Sequence, residues 1–170
     1  MRRYFLLVVA VVAFLTGCKQ NDWMDWKMQN DLWLEHNKTQ DSVVVTSTGL
    51  QYKIIADPMA DLGEATPNNT STVVCDYSLT LINGNVIDKG NSIGFYMGSV
   101  VPGFAEGCRK IHNQGDIEIY VPAYLGYDYE KKNAGNYSKA EGTGTEGTSG
   151  YIPPYSTLIF KVHICGISGN

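Results

Sequence analysis

The segment "TVVCDYSLTLI", residues 72–82, places Val73, Cys75, Tyr77, Leu79 and Leu81 at every second position on one face, with Asp76, Ser78 and Thr80 on the other. Period two sustained over that length demands a strand buried on one side, because the same residues would scatter around a helix. "NGN" at Asn83–Asn85 follows at once and predicts a hairpin turn back into an antiparallel neighbour. "DIEIYV" repeats the pattern with Ile117, Ile119 and Val121, and "TLIFKVHI" with Leu158, Phe160, Val162 and Ile164, leaving Lys161 and His163 on the other face. The expectation is an antiparallel sheet with one wet face.

One short helix interrupts the strands. In "VPGFAEGCRKI", Pro102 suits the first helical turn, and Phe104, Cys108 and Ile111 recur at i, i+4 and i+7. This helix must lie across the sheet, with Cys108 and Cys75 as small core residues. The fold class is therefore α+β.

The chain opens "MRRYFLLVVAVVAFLTGC". Arg2 and Arg3 precede an apolar run from Tyr4 to Leu15 that is too short to span a bilayer and matches the core of a signal peptide, residues 1–17. "LTGC" resembles a bacterial lipobox, which implies lipidation of Cys18 as the new N-terminus and an extracytoplasmic, membrane-anchored protein of the bacterial cell envelope. Several acyl chains would anchor it stably, where one would hold it only marginally. Removing Arg2 and Arg3 with the leader leaves eleven Lys and Arg against seventeen Asp and Glu, a net charge of about −6, which argues against nucleic acid as a partner. Cys75, Cys108 and Cys165 remain, with no Cys-x-x-Cys and no histidine at ligand spacing, so neither a metal nor another cofactor is expected. A disulfide involving Cys165 stays open at this point.

Residues 18–47 form the anchored N-terminal segment. Asn21 or Asp22 can cap a helix, and Trp23, Trp26, Trp33 and Leu34 fall within one stripe, with Asn30 inside it. Such a stripe docks on the protein's own domain, forms a homodimer contact or holds clients. Residues 128–150 are rich in Gly, Thr and charge without apolar period, which predicts an exposed loop. Pro153 and Pro154 then stiffen the chain just ahead of the last strand, presenting Ile152 at a set angle.

Five blocks in order resemble FK506-binding-protein-type (FKBP-type) peptidyl-prolyl cis-trans isomerases: "TGLQYKII" (Thr48–Ile55), "DYSLTLINGNVID" (Asp76–Asp88), "FYMGSVVPGFAEG" (Phe95–Gly107), "VPAYLGYD" (Val121–Asp128) and "IPPYSTLIFKV" from Ile152. The resemblance implies an FKBP-like domain over residues 48–170, a curled antiparallel β-sheet wrapped around one short helix, preceded by the N-terminal helix. It implies an apolar pocket for a prolyl ring lined by Tyr77, Ile87, Phe95, Val100, Phe104, Ile152 and Phe160. It also assigns Val101, through its backbone N–H, Tyr127, through its hydroxyl, and Asp88 to catalysis. Ile87 stands where the family usually has phenylalanine, Phe104 where it has tryptophan, and Asp128 where it has glycine.

Such a site needs no nucleophile. Amide resonance sets a barrier of ~18–20 kcal/mol to rotation about an X-Pro bond, and an enzyme lowers it by preferring the twisted amide. The clients would be proline-containing polypeptides. The rival expectation is an FKBP-like peptide-binding or chaperone module that has lost useful turnover.

Expressed with its leader in a bacterial host, the chain should partition into the detergent phase, and Cys18→Ser should either release it or trap it as the uncleaved precursor. Soluble behaviour of the unaltered chain would contradict the anchor.

Overall fold

The computed structural model describes residues 22–128 and 151–169. The leader, Cys18 and all of the 128–150 loop except Asp128 lie outside the described residues.

Six strands form one sheet among these residues: β1 (Val44–Val45), β2 (Gln51–Ala56), β3 (Thr72–Thr80), β4 (Val86–Tyr96), β5 (Asp116–Val121) and β6 (Leu158–Ser168). Their spatial order is β1-β2-β5-β6-β3-β4, and every neighbouring pair is antiparallel. Helix α1 (Asp22–Asn37) precedes the sheet and α2 (Pro102–Cys108) lies against its inner face. Among the described residues no helix is long and apolar enough to cross a membrane.

The alternation read from the sequence is the alternation observed. Val73, Cys75 and Leu79 on β3 and Leu81 just after it are buried, as are Ile117, Ile119 and Val121 on β5 and Leu158, Phe160, Val162 and Ile164 on β6. The turn after β3 closes with Gly84 N–H donating to the Leu81 carbonyl at 2.9 Å, while Gly84 takes φ of 82°. That left-handed position is free of strain only for glycine. Edge strand β4 is irregular: its register with β3 shifts twice, and Ser92 holds φ of 53° while its N–H donates to Asp76 Oδ1 at 2.7 Å.

Helix α2 can lie close to β5 because two of its residues have no side chain. A Cβ on Gly103 would come within 2.4 Å of Val121 Cγ1, and one on Gly107 within 2.6 Å of Ile119 Cγ2. The close approach buries Phe104, Ala105 and Cys108 in the common core with Ile111.

Helix α1 docks on the domain, and the tryptophan stripe faces inward. The Trp26 indole N–H donates to Ser156 Oγ at 3.0 Å, the Trp33 ring lies 5.7 Å from that of Tyr120, and Trp23 lies 6.2 Å from Tyr151. These rings are engaged within their own chain and remain half-buried, so the stripe docks at least in part on its own domain. The second face of β5 is consequently not all wet, and Tyr120 is buried beneath α1. At the other end of the helix, buried Asn37 donates to Gln51 Oε1 at 2.9 Å and Gln51 Nε2 donates to the Leu34 carbonyl at 3.0 Å.

Gly107→Ala should destabilise the domain. The helix gains ~0.5–1 kcal/mol in propensity, but overpacking against the β-branched Ile119 costs ~1–3 kcal/mol, for a net loss centred on about 1 kcal/mol and reaching about 2.5 kcal/mol. Urea unfolding checks this, and an unchanged midpoint would contradict the close packing.

Candidate functional site

Four of the expected pocket residues form a continuous row of rings. Tyr77 on β3 meets Phe95 on β4 edge-on at 5.1 Å, Phe95 meets Phe104 on α2 at 5.5 Å, and Phe104 meets Phe160 on β6 at 4.8 Å. Each ring comes from a different element, so the row exists only when sheet and helix are assembled. Its two ends differ in exposure: Phe104 and Phe160 are buried, while Tyr77 and Phe95 are half-buried. In the first two contacts, edge-to-face geometry sets the positive rim of one ring against the negative face of the next, while Phe104 and Phe160 meet at a tilt of 57°.

Asp88 joins the row through Tyr77. The Tyr77 hydroxyl donates to Asp88 Oδ2 at 2.6 Å, and the other carboxylate oxygen accepts from Lys89 N–H at 2.8 Å. Burial first, then the hydrogen bond to Asp88 and the charge of that carboxylate, push the Tyr77 phenol well above its ordinary range; Tyr127 also lies close enough to add to the shift. The phenol is therefore a neutral donor at physiological pH, and it fixes the carboxylate's orientation. Tyr127 is half-buried against the core, as are Ile87, Val100 and Ile152.

Val101 is the residue immediately before α2. Its carbonyl accepts from Phe104 N–H and Ala105 N–H at 3.0 and 3.2 Å, whereas its own N–H precedes the helix and takes no part in that ladder. The short 3₁₀ turn Ala123–Leu125 carries the chain into Tyr127, and Asp128 then takes φ of 50°. Aspartate is one of the few side chains that tolerates this left-handed region, so Asp128 keeps a backbone shape for which glycine is the usual choice. Its N–H donates to the Ala123 carbonyl at 2.8 Å, and its carbonyl accepts from Tyr155 N–H at 3.1 Å. The last bond ties the Tyr127 side of the site to the diproline segment carrying Ile152.

One contributor was missed in the sequence. A Cβ on Gly90, opposite Tyr77 in the β3–β4 register, would come within 3.0 Å of the Tyr77 ring and 2.6 Å of Ile93. The signal was present as a glycine inside a strand, which marks a close approach.

Two other features lie beyond the row of rings, the first of them also bordered by Tyr77. An open groove of about 410 Å³ runs over the outer face of the sheet, among the polar side chains of Asp76, Ser78, Asp116, Glu118, Lys161 and His163. It is lined by cross-strand pairs, including His163 Nδ1 to Asp116 at 2.9 Å and Lys161 Nζ to Glu118 at 3.0 Å. The thiols are also unsuited to nucleophilic work: burial pushes Cys75 up to about 12 and Cys108 well above its ordinary value.

The profile of FKBP-type peptidyl-prolyl cis-trans isomerases matches residues 63–165. The outer membrane protein MIP of Legionella longbeachae is 34% identical over 146 residues, covering 83% of this chain and 54% of that protein. The FKBP-type peptidyl-prolyl cis-trans isomerase FkpA of Escherichia coli strain K12 is 31% identical over 152 residues, 87% of this chain and 48% of that protein. The crystal structure of E. coli FkpA matches with a TM-score of 0.69 at 26% identity, over 98% of this chain and 70% of that one. The chain belongs to the FKBP-type peptidyl-prolyl cis-trans isomerase family. It spans about half the length of the curated relatives it matches.

Tyr77 and Tyr120 should titrate later than an ordinary phenol, near pH ~10, because both are raised, first by burial and then by hydrogen bonds to Asp88 and Glu118. A raised phenol contributes stability in full below its unfolded pKa and loses it as pH climbs through the folded value. Tyr77→Phe should therefore remove one late phenol from the alkaline ultraviolet titration and flatten the loss of stability above about pH 10. Retention of both late phenols in the variant would contradict the assignment.

Proposed function

We propose that this chain is a peptidyl-prolyl cis-trans isomerase of the bacterial cell envelope, anchored through lipid on Cys18 and acting on proline-containing segments of exported polypeptides. The observation that carries this reading is the row Tyr77, Phe95, Phe104 and Phe160, ending on the Tyr77–Asp88 pair, within a domain of the isomerase family. Residues 48–170 are the isomerase domain, 18–47 the anchored helix and linker, and 1–17 the signal peptide.

The roles follow from chemistry. A prolyl ring lies on Phe104 and Phe160, with Phe95, Val100, Ile87 and Ile152 closing around it. Twisting the amide diminishes its charge separation, so a water-poor apolar site favours the twisted form over the planar one. The Val101 N–H and the Tyr127 hydroxyl hold flanking carbonyls, and Asp88, oriented by Tyr77, supplies the polar side of the cleft. Nothing covalent forms or breaks. Uncatalysed exchange takes tens of seconds, so useful acceleration means three to four orders of magnitude, or ~4–5.5 kcal/mol of differential stabilisation.

A protease-coupled assay on short X-Pro peptides tests the reading. The unaltered chain should abolish the slow phase, Tyr127→Phe should cost up to about tenfold, the scale of one hydrogen bond, and Phe104→Ala should cost rate and stability together through the cavity it opens. No acceleration on any peptide, with no binding of a pocket-directed macrolide, would replace the enzyme with a peptide-binding module.

A further inference from the structure

Helix α1 and the prolyl site lie far apart in sequence, yet the helix holds the segment that follows the two prolines. Asn30, 1% exposed, accepts from the backbone N–H of Thr157 at 2.7 Å through Oδ1, while its Nδ2 donates to the Trp26 carbonyl at 2.8 Å. The Trp26 indole N–H donates to Ser156 Oγ at 3.0 Å, and the Ser156 hydroxyl donates onward to the carbonyl of Pro153 at 2.7 Å. One residue nearer the prolines, Tyr155 N–H donates to the Asp128 carbonyl at 3.1 Å.

These bonds occupy a gap in the sheet's own hydrogen bonding. Strand β6 is paired only from Leu158 onward, opposite Val121. Pro153 and Pro154 have no N–H to contribute to any ladder. Residues 152–157 therefore lie outside the sheet, with Ser156 and Thr157 buried at 3% and 1% exposure, where an unpaired Thr157 N–H or Pro153 carbonyl would be costly. Asn30 supplies the partner for Thr157 N–H from the helix, and Trp26 holds the Ser156 hydroxyl that in turn serves the Pro153 carbonyl. Asn30 is also a polar residue inside an otherwise apolar stripe, and both ends of its amide are engaged.

We infer that α1 is a positioning element of the prolyl site: Asn30 and Trp26 fix the Pro153–Thr157 segment and, through it, the rims carrying Ile152 and Tyr127. The inference rests on the isomerase reading for its effect on rate, but not for its effect on the segment. The amide acts through the Thr157 backbone N–H and the indole through the Ser156 hydroxyl, so both are positioning residues and touch no substrate.

The test uses the whole chain carrying Asn30→Leu or Trp26→Phe, with Met28→Ala on the exposed side of α1 as control. Steady-state isomerisation of X-Pro peptides should show KM raised about two- to tenfold, the scale of one lost hydrogen bond, with kcat less affected. A variant that merely unfolds in part would lower the apparent kcat and leave KM unchanged. Amide hydrogen exchange at Tyr155 and Thr157 should accelerate about tenfold relative to the β3–β6 core, and Met28→Ala should change neither readout. If Asn30→Leu fails to fold, Trp26→Phe, which deletes the N–H and keeps a ring, decides alone. Unchanged KM and exchange in a folded variant overturn the inference. If the unaltered chain is catalytically inert, the isomerase reading fails, and exchange at Tyr155 and Thr157 still decides whether α1 holds the segment.

Discussion

The close approach of α2 to β5 governs the rest of this structure. With Gly103 and Gly107 facing Val121 and Ile119, the helix backbone sits nearer the sheet than any side chain at those positions would permit. Phe104, between the two glycines, is thereby brought within ring contact of both Phe95 and Phe160, residues on strands that do not pair with each other. A helix held a few ångströms farther out would break the row in the middle. The packing of the core and the construction of the site are consequently one event, because the same short helix completes both.

Around that row the polar groups are few and already engaged with one another. Tyr77 binds Asp88, Asp88 binds Lys89 N–H, and the Val101 carbonyl serves the helix. An apolar bed with a small number of oriented donors suits a reaction in which conformation changes and no bond is made. The neutral, buried thiols of Cys75 and Cys108 fit the same picture, packing as small hydrophobes in the core.

The sheet was legible in the sequence because its inner face obeys period two on β3, β5 and β6, and a strand with one buried face leaves little freedom of register. The short helix was legible from Pro102 and the spacing of Phe104, Cys108 and Ile111. The site residues on these elements followed from the ordered blocks that resemble the family, and the structure joins Tyr77, Phe95, Phe104 and Phe160 directly. What escaped reading was what depends on distant pairing. Gly90 makes room for a ring on the neighbouring strand, and Tyr120 is buried by a helix that begins almost a hundred residues earlier. Asn30 looked like a flaw in an apolar stripe, since no local pattern reveals that its acceptor serves Thr157. The tryptophan face was recognisable as sticky, but whether it faced inward was a question of tertiary geometry.

The borders of the sheet carry one more consequence. At one margin stands β1, a strand of two residues; at the other stands β4, long but broken by two register shifts and by Ser92 in the left-handed region. An uninterrupted border of unpaired amides and carbonyls is a template on which any extended chain can polymerise. A protein whose proposed business is to meet unfolded polypeptides would be unusually exposed to that hazard. Here β1 is too short and β4 too crooked to propagate such pairing, so the shape of these two strands guards the domain against edge-to-edge aggregation.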